Sequence, residues 1–276
     1  MTIIPADRLF KPRHKDYLGW LGCNPMIELS SSHDSAFIWY CACGDGDDLH
    51  DDLKRLDSLG DSIIVTLGDH DYGGCLSQSN RRFYFSTNHS DPERTVPYLY
   101  GDADPASRPV NKYLACFMGS FQTNPGRQCL KALAGHDVAI IESDWWHSEP
   151  QHRELRARYN ELLDQSAFAL CPRGIGQSSM RLAEAMLRGS LPIMIDDQTR
   201  LFGQDLGEFA LWSGLKTGDI AHALQVAREM SVAEYGSRIV KMNKFVEDYL
   251  MVDVNSGCRG TLGYTEYLRK YVQKHT

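Results

Sequence analysis

Residues 166–197 read SAFALCPRGIGQSSMRLAEAMLRGSLPIMIDD, and this stretch decides the fold. Ala167 to Cys171 (AFALC) is an unbroken apolar run of strand length. A loop carrying Arg173, Gly174 and Gly176 follows it. SSMRLAEAMLRG, from Ser178, has the apolar spacing of a helix and ends at Gly189. LPIMI, residues 191–195, is a second strand, closed by Asp196 and Asp197. A strand, a helix and a strand joined by short connections make a βαβ unit with parallel strands.

The same alternation extends upstream. Lys112 to Met118 (KYLACFM) is a strand closed by Gly119, a helix is expected from about Pro125 to Ala134, and Asp137 to Ile141 (DVAII) is another strand. HRELRARYNELLDQS places Leu155, Tyr159, Leu162 and Leu163 on one helical face. Downstream, residues 217–250 read as two helices broken near Ser231. Nearer the N-terminus, AFIWYC (36–41), SIIVTL (62–67) and RFYFS (82–86) look like strands. The acidic DDLHDDLKRLDSLG between the first two looks like a helix. The expected class is α/β, parallel sheets flanked by helices. Pro, Asp, Asn and Gly accumulate over Thr87–Asn111 as in a linker. The expected division is therefore residues 1–108, residues 109–255 and a terminal segment 256–276, with a final helix over Tyr264–Lys274.

A chain of 276 residues suffices for one large domain or two small ones. Hydrophobic residues at 42% and charged residues at 24% fit a globular protein. A net charge of -7 argues against a nucleic-acid partner. No window approaches the roughly 18 apolar residues of a membrane span, and the first twenty residues lack a leader-like run. The expectation is a cytoplasmic protein without a membrane span. The eight dispersed cysteines read as reduced, mostly buried thiols.

Chemistry concentrates after Cys171. Ligands of parallel sheets bind at the carboxyl ends of strands, where this loop must lie. A glycine-containing loop feeding a helix N-terminus at Ser178–Ser179 offers unpaired N–H groups and a positive dipole end to an anion. Arg173 adds a planar charged fork suited to phosphate. Arg181 and Glu184, three apart, share a helix face, and a carboxylate there can accept hydrogen bonds from ribose hydroxyls. A structural Arg173–Glu184 ion pair with Ser179 as a plain cap is the alternative.

The stretch closely resembles the signature of the exostosin family of glycosyltransferases. The matching positions are Ser166, Phe168, Leu170, Pro172, Gly174, Ser179, Arg181, Glu184, Ala185, Gly189, Pro192 and Asp197. Upstream, LACFMGSFQTNPGRQCL is similar to the family's strand, glycine and following arginine, here Gly119 and Arg127. The resemblance covers about Tyr113–Gly214. It implies a GT-B architecture, two Rossmann-like domains facing a cleft, and inverting transfer from a UDP-sugar to a glycan acceptor. It also implies no essential metal and no other cofactor. The residue reading and the resemblance together give as candidate donor-binding residues Gly119, Arg127, Cys171, Pro172, Arg173, Gly174, Ser178, Ser179, Arg181 and Glu184.

Inverting transfer also needs a base for the acceptor hydroxyl. SIIVTLGDHDYGG stops a strand at Asp69, His70 and Asp71, any of which can serve; a plain turn is the alternative. Trp145 and Trp146 follow the DVAII strand, and they with Asp196 and Asp197 are candidates for sugar or acceptor contacts. Two further readings stay open: a metal-dependent GT-A enzyme using Asp69 and Asp71, and a non-catalytic domain that binds a glycan or nucleotide.

Overall fold

In the computed structural model the described residues are 37–42, 63–68, 82–86, 91–95, 112–143, 149–174, 179–195, 200–250, 267, 270–271 and 274–275. The chain divides into two compact units, Met1–Val96 with Glu247–Thr276, and Pro97–Val246.

In the first unit, β1 (Phe37–Ala42), β2 (Ile63–Gly68) and β3 (Arg82–Ser86) form a parallel sheet in the order β1-β2-β3. Phe37 stands opposite Ile63, and Ile64 opposite Arg82. The acidic segment between β1 and β2 lies outside the described residues. A 3₁₀ turn, Pro92–Arg94, follows β3. Residues 267, 270, 271, 274 and 275 are helical. The Tyr267 hydroxyl donates to the Glu93 carbonyl at 2.6 Å, and Arg94 Nε donates to the Tyr271 hydroxyl at 2.8 Å.

The second unit carries five parallel strands in the order β5-β4-β6-β7-β8. In chain order they begin with β4 (Tyr113–Gly119) and β5 (Val138–Glu142). Helix α1 (Glu149–Asp164) leads to β6 (Ser166–Pro172), and α2 (Met180–Leu187) to β7 (Leu191–Ile195). The three-residue β8 (Leu211–Ser213), α3 (Thr217–Glu229) and, as far as Val246, α4 (Val232–Tyr249) complete it. Every residue of β6 and β7 is buried, as the interior strands of a sheet covered on both faces must be. On one face, Tyr159, Leu162 and Leu163 of α1 and Ala185 of α2 pack on Cys116, Met118, Ala169 and Cys171. Arg188, at the end of α2, makes a bidentate pair with Asp164 at the end of α1. Gly189 then takes φ 73°, the left-handed turn that closes a helix, and the Ser190 N–H returns to the Ala185 carbonyl at 2.8 Å.

Two local departures from the sequence reading have simple causes. Pro125–Leu133 is a 3₁₀ helix, and buried Asn124, Arg127 and Leu130 recur every third residue, the spacing at which 3₁₀ side chains eclipse. The strand β8 has no long apolar run to announce it. Before β8, Phe202 adopts φ 55° and ψ 33°. A bulky residue there costs about 1–3 kcal/mol. Burial of its ring, 6.3 Å from that of Phe245, offsets this by a similar amount. Among the described residues, no helix is long and apolar enough to cross a membrane.

Candidate functional site

All five strands of the second sheet point the same way, so their carboxyl ends share one edge. There β4 ends at Gly119, β5 at Glu142 and β6 at Pro172. Two further backbone bonds carry the ladder past the strands: Ser143 N–H to Gly119 O at 3.1 Å, and Arg173 N–H to Ile195 O at 3.4 Å.

Arg127 is 4% exposed, and its guanidinium ties two loops together. Nε donates to the Arg173 carbonyl at 3.0 Å and Nη2 to the Pro172 carbonyl at 3.1 Å. Nη1 donates to the Ser120 carbonyl at 3.0 Å and the Thr123 hydroxyl at 2.7 Å. Four of its five N–H groups are therefore engaged. Burial first, and the Arg181 cation second, push its pKa down, so these acceptors must compensate for lost water. Asn124 reinforces the junction: Nδ2 donates to the Gly174 carbonyl at 3.2 Å, and Oδ1 accepts from the Gly126 N–H at 2.9 Å. The backbone of Pro172, Arg173 and Gly174 is thus fixed from the segment 120–127.

Arg181 reaches the same edge from α2. Its Nε and Nη2 donate to the Met118 carbonyl at 3.0 and 2.8 Å, and its guanidinium carbon lies 4.8 Å from the centre of the Phe117 ring. It crosses directly over Gly119. A Cβ at that position would lie 1.8 Å from Nη2, so only glycine leaves the passage open. Two of the five guanidinium N–H groups serve Met118, and the other three have no acceptor among the described residues. Arg127 also stands over the Phe117 ring, at 5.7 Å. Arg127 and Arg181, both candidates for donor binding by sequence, therefore differ: Arg127 is committed to three carbonyls and the Thr123 hydroxyl, whereas Arg181 keeps most of its donors.

Glu184 lies three residues beyond Arg181 and is 5% exposed. Its Oε1 accepts from Arg156 Nη1 of α1, so its ion-pair partner is Arg156 and not Arg173. Tyr159, one turn along α1, is fully buried. Its phenol is pushed well above the ordinary value by burial and then by the Glu184 carboxylate. Ser179 is the N-cap of α2 but makes no capping bond, and its buried Oγ has no hydrogen-bond partner among the described residues. Cys171 is fully buried at the end of β6. Neighbouring Cys116 is buried as well, and its thiol is pushed up to about 12 by burial.

The structure thus brings together Gly119, Arg127, Pro172, Arg173, Gly174 and Arg181, with Ser179 and Glu184 on the adjoining helix. Ser178, Trp145, Trp146, Asp196 and Asp197 lie outside the described residues, as do Asp69, His70 and Asp71. Sequence reasoning missed Asn124, Arg156 and Tyr159. The Asn124-Pro125 pair is a visible cap signal, whereas Arg156 is one of several arginines on α1 and nothing local singles it out. Chemically, the edge offers backbone amides, a helix N-terminus and guanidinium donors, a set suited to an anionic ligand.

Residues 100–208 match the sequence family described as the RXYLT1 C-terminal domain. Human ribitol-5-phosphate xylosyltransferase 1 is 34% identical over 91 residues, which are 32% of this chain and 20% of that protein. The chain thus spans about a fifth of the curated relative it matches. Solved structures similar to it include a mutant of S. aureus TarM in complex with fondaparinux, alpha-GlcNAc-glycerol and UDP. That pair has a TM-score of 0.47 and 10% identity, over 89% of this chain and 52% of the other. The pneumococcal O-GlcNAc transferase GtfA in complex with UDP and GlcNAc gives 0.43 and 12%, over 87% and 53%.

Proposed function

We propose that this protein is a glycosyltransferase of the GT-B type that moves a sugar, with inversion, from a UDP-sugar to a glycan hydroxyl. The observation that carries the reading is the carboxyl edge of the second sheet, where Arg181 crosses Gly119 beside a loop fixed by Arg127. The family match over residues 100–208 and the partial identity to a xylosyltransferase support it. The name of that relative makes a pentose the first donor to try.

The ribose would sit at Glu184, while Arg173, the spare donors of Arg181 and the N-terminus of α2 at Ser179 would hold the diphosphate. Residues 1–108 would bind the acceptor. In the reaction, the acceptor oxygen bonds to the anomeric carbon from the face opposite the leaving group. The bond from that carbon to the diphosphate oxygen breaks, and the hydroxyl proton passes to a base. Asp69, His70 or Asp71 is our candidate for that base. Arginines and amides of this edge would stabilise the departing negative charge, and on this reading the transfer needs no metal.

Calorimetric titration with UDP, UDP-xylose, GDP and CMP, with and without EDTA, tests the reading. Saturable UDP binding that survives EDTA is expected, with Arg173→Ala weakening it by about 1.5–3 kcal/mol. Binding lost in EDTA would overturn metal independence. Failure of every nucleotide to bind would overturn the site.

A further inference from the structure

The carboxylate of Glu184 is held asymmetrically. It comes from the middle of α2, is 5% exposed, and receives Arg156 Nη1 of α1 on Oε1 alone. Its Oε2 has no hydrogen-bond partner among the described residues. Burying a carboxylate is costly unless a cation answers it, and Arg156, 23% exposed at its side chain, is its ion-pair partner. Tyr159, three residues further along α1, is fully buried, and its phenol is pushed well up by burial first and by the Glu184 charge second. A guanidinium is a planar, preorganised fork, and a hydrogen bond from it fixes the rotation of the carboxylate plane. With Oε1 fixed, the lone pairs of Oε2 are presented in one direction.

We propose that Arg156 is a positioning residue for the nucleotide: it orients the Glu184 carboxylate so that Oε2 accepts hydrogen bonds from the ribose hydroxyls. The inference rests on the nucleotide site proposed above. A purely structural pair between α1 and α2 makes a different prediction, because it would affect every nucleotide alike, with or without ribose hydroxyls.

The test compares UDP with 2′,3′-dideoxy-UDP on the full chain, by calorimetry, in wild type, Arg156→Met and Arg156→Lys. Wild type should prefer UDP by about tenfold or more, the size expected for hydrogen bonds to a charged acceptor. In Arg156→Met the preference should shrink to about threefold or less, with dideoxy-UDP binding unchanged within about twofold. Arg156→Lys keeps the charge without the fork and should fall between the two. It also carries the test if the methionine variant does not fold. Equal weakening of both ligands, or a preference that survives in a folded variant, would overturn the role of Arg156 alone. No binding of either ligand by wild type would overturn the nucleotide site, and this inference with it.

Discussion

Replacing Gly119 by alanine adds one methyl group, and the structure says where its cost falls. The new Cβ would lie 1.8 Å from Nη2 and 2.8 Å from the guanidinium carbon of Arg181. Carbon–nitrogen contact needs about 3.4 Å, so the guanidinium must retreat by about 1.5 Å or swing away. Bonds of 3.0 and 2.8 Å to the Met118 carbonyl cannot survive that retreat. They are together worth about 1.5–3 kcal/mol, and the stacking on Phe117 about 0.5–1 kcal/mol more. Because Arg181 is only half-buried, its head can turn to water and the fold is retained. Gly119→Ala should therefore cost about 2–4 kcal/mol in urea unfolding. It should also weaken UDP about tenfold or more, as Arg181→Met should. The decisive readout is the double mutant: once Arg181 is gone the methyl meets nothing that matters, so the two losses must not add. Additive losses, or a Gly119→Ala variant with wild-type stability and UDP affinity, would refute the reasoning.

Arg127→Met strands the carbonyls of Ser120, Pro172 and Arg173 and should destabilise by about 3–5 kcal/mol in urea unfolding; a loss under 1 kcal/mol would contradict the tether. Asp137 is paired with Arg228 at 2.9 and 3.2 Å, and that hydrogen bond holds its carboxyl below the ordinary value. The pair therefore favours folding at pH above the unfolded carboxyl pKa and loses this as pH falls through the lowered folded one. Both groups are exposed, so Asp137→Asn should cost below about 1 kcal/mol at pH 7, with a melting-temperature gap that closes in acid. Cys116 and Cys171 should resist thiol reagents until the chain unfolds, and peptide mass spectrometry after pulsed alkylation would show early labelling if they do not.

The second half of the fold was legible because its elements announce themselves by period. LPIMI is β7 residue for residue, and the break near Ser231 separates α3 from α4. What resisted reading depends on distant backbone. The tether role of Arg127 needs carbonyls some 46 residues on, aimed by strands whose pairing no local pattern specifies. Likewise, Glu184 was visible as a carboxylate sharing a helix face with Arg181, but its partner lies on another helix among arginines of similar spacing. Phe202 was illegible for a different reason: its left-handed backbone is imposed by seating the ring, against local preference.

Strand β6 is apolar on both faces, and a chain of that kind carries little information about where along its neighbours it should stop. A two-residue slip would still bury oily side chains on both sides. The polar bonds at its two ends remove that ambiguity. At the start, Ser166 Oγ donates to the Leu162 carbonyl and Ser190 Oγ to the Ser166 carbonyl, at 2.7 and 2.9 Å. At the finish, the carbonyls of Pro172 and Arg173 must meet the buried Arg127 guanidinium. A misaligned strand would leave that cation desolvated and unanswered, at a cost of several kcal/mol. Arg127 thus serves as a check on assembly: the chain can close over it only when β6 has been threaded to the correct depth.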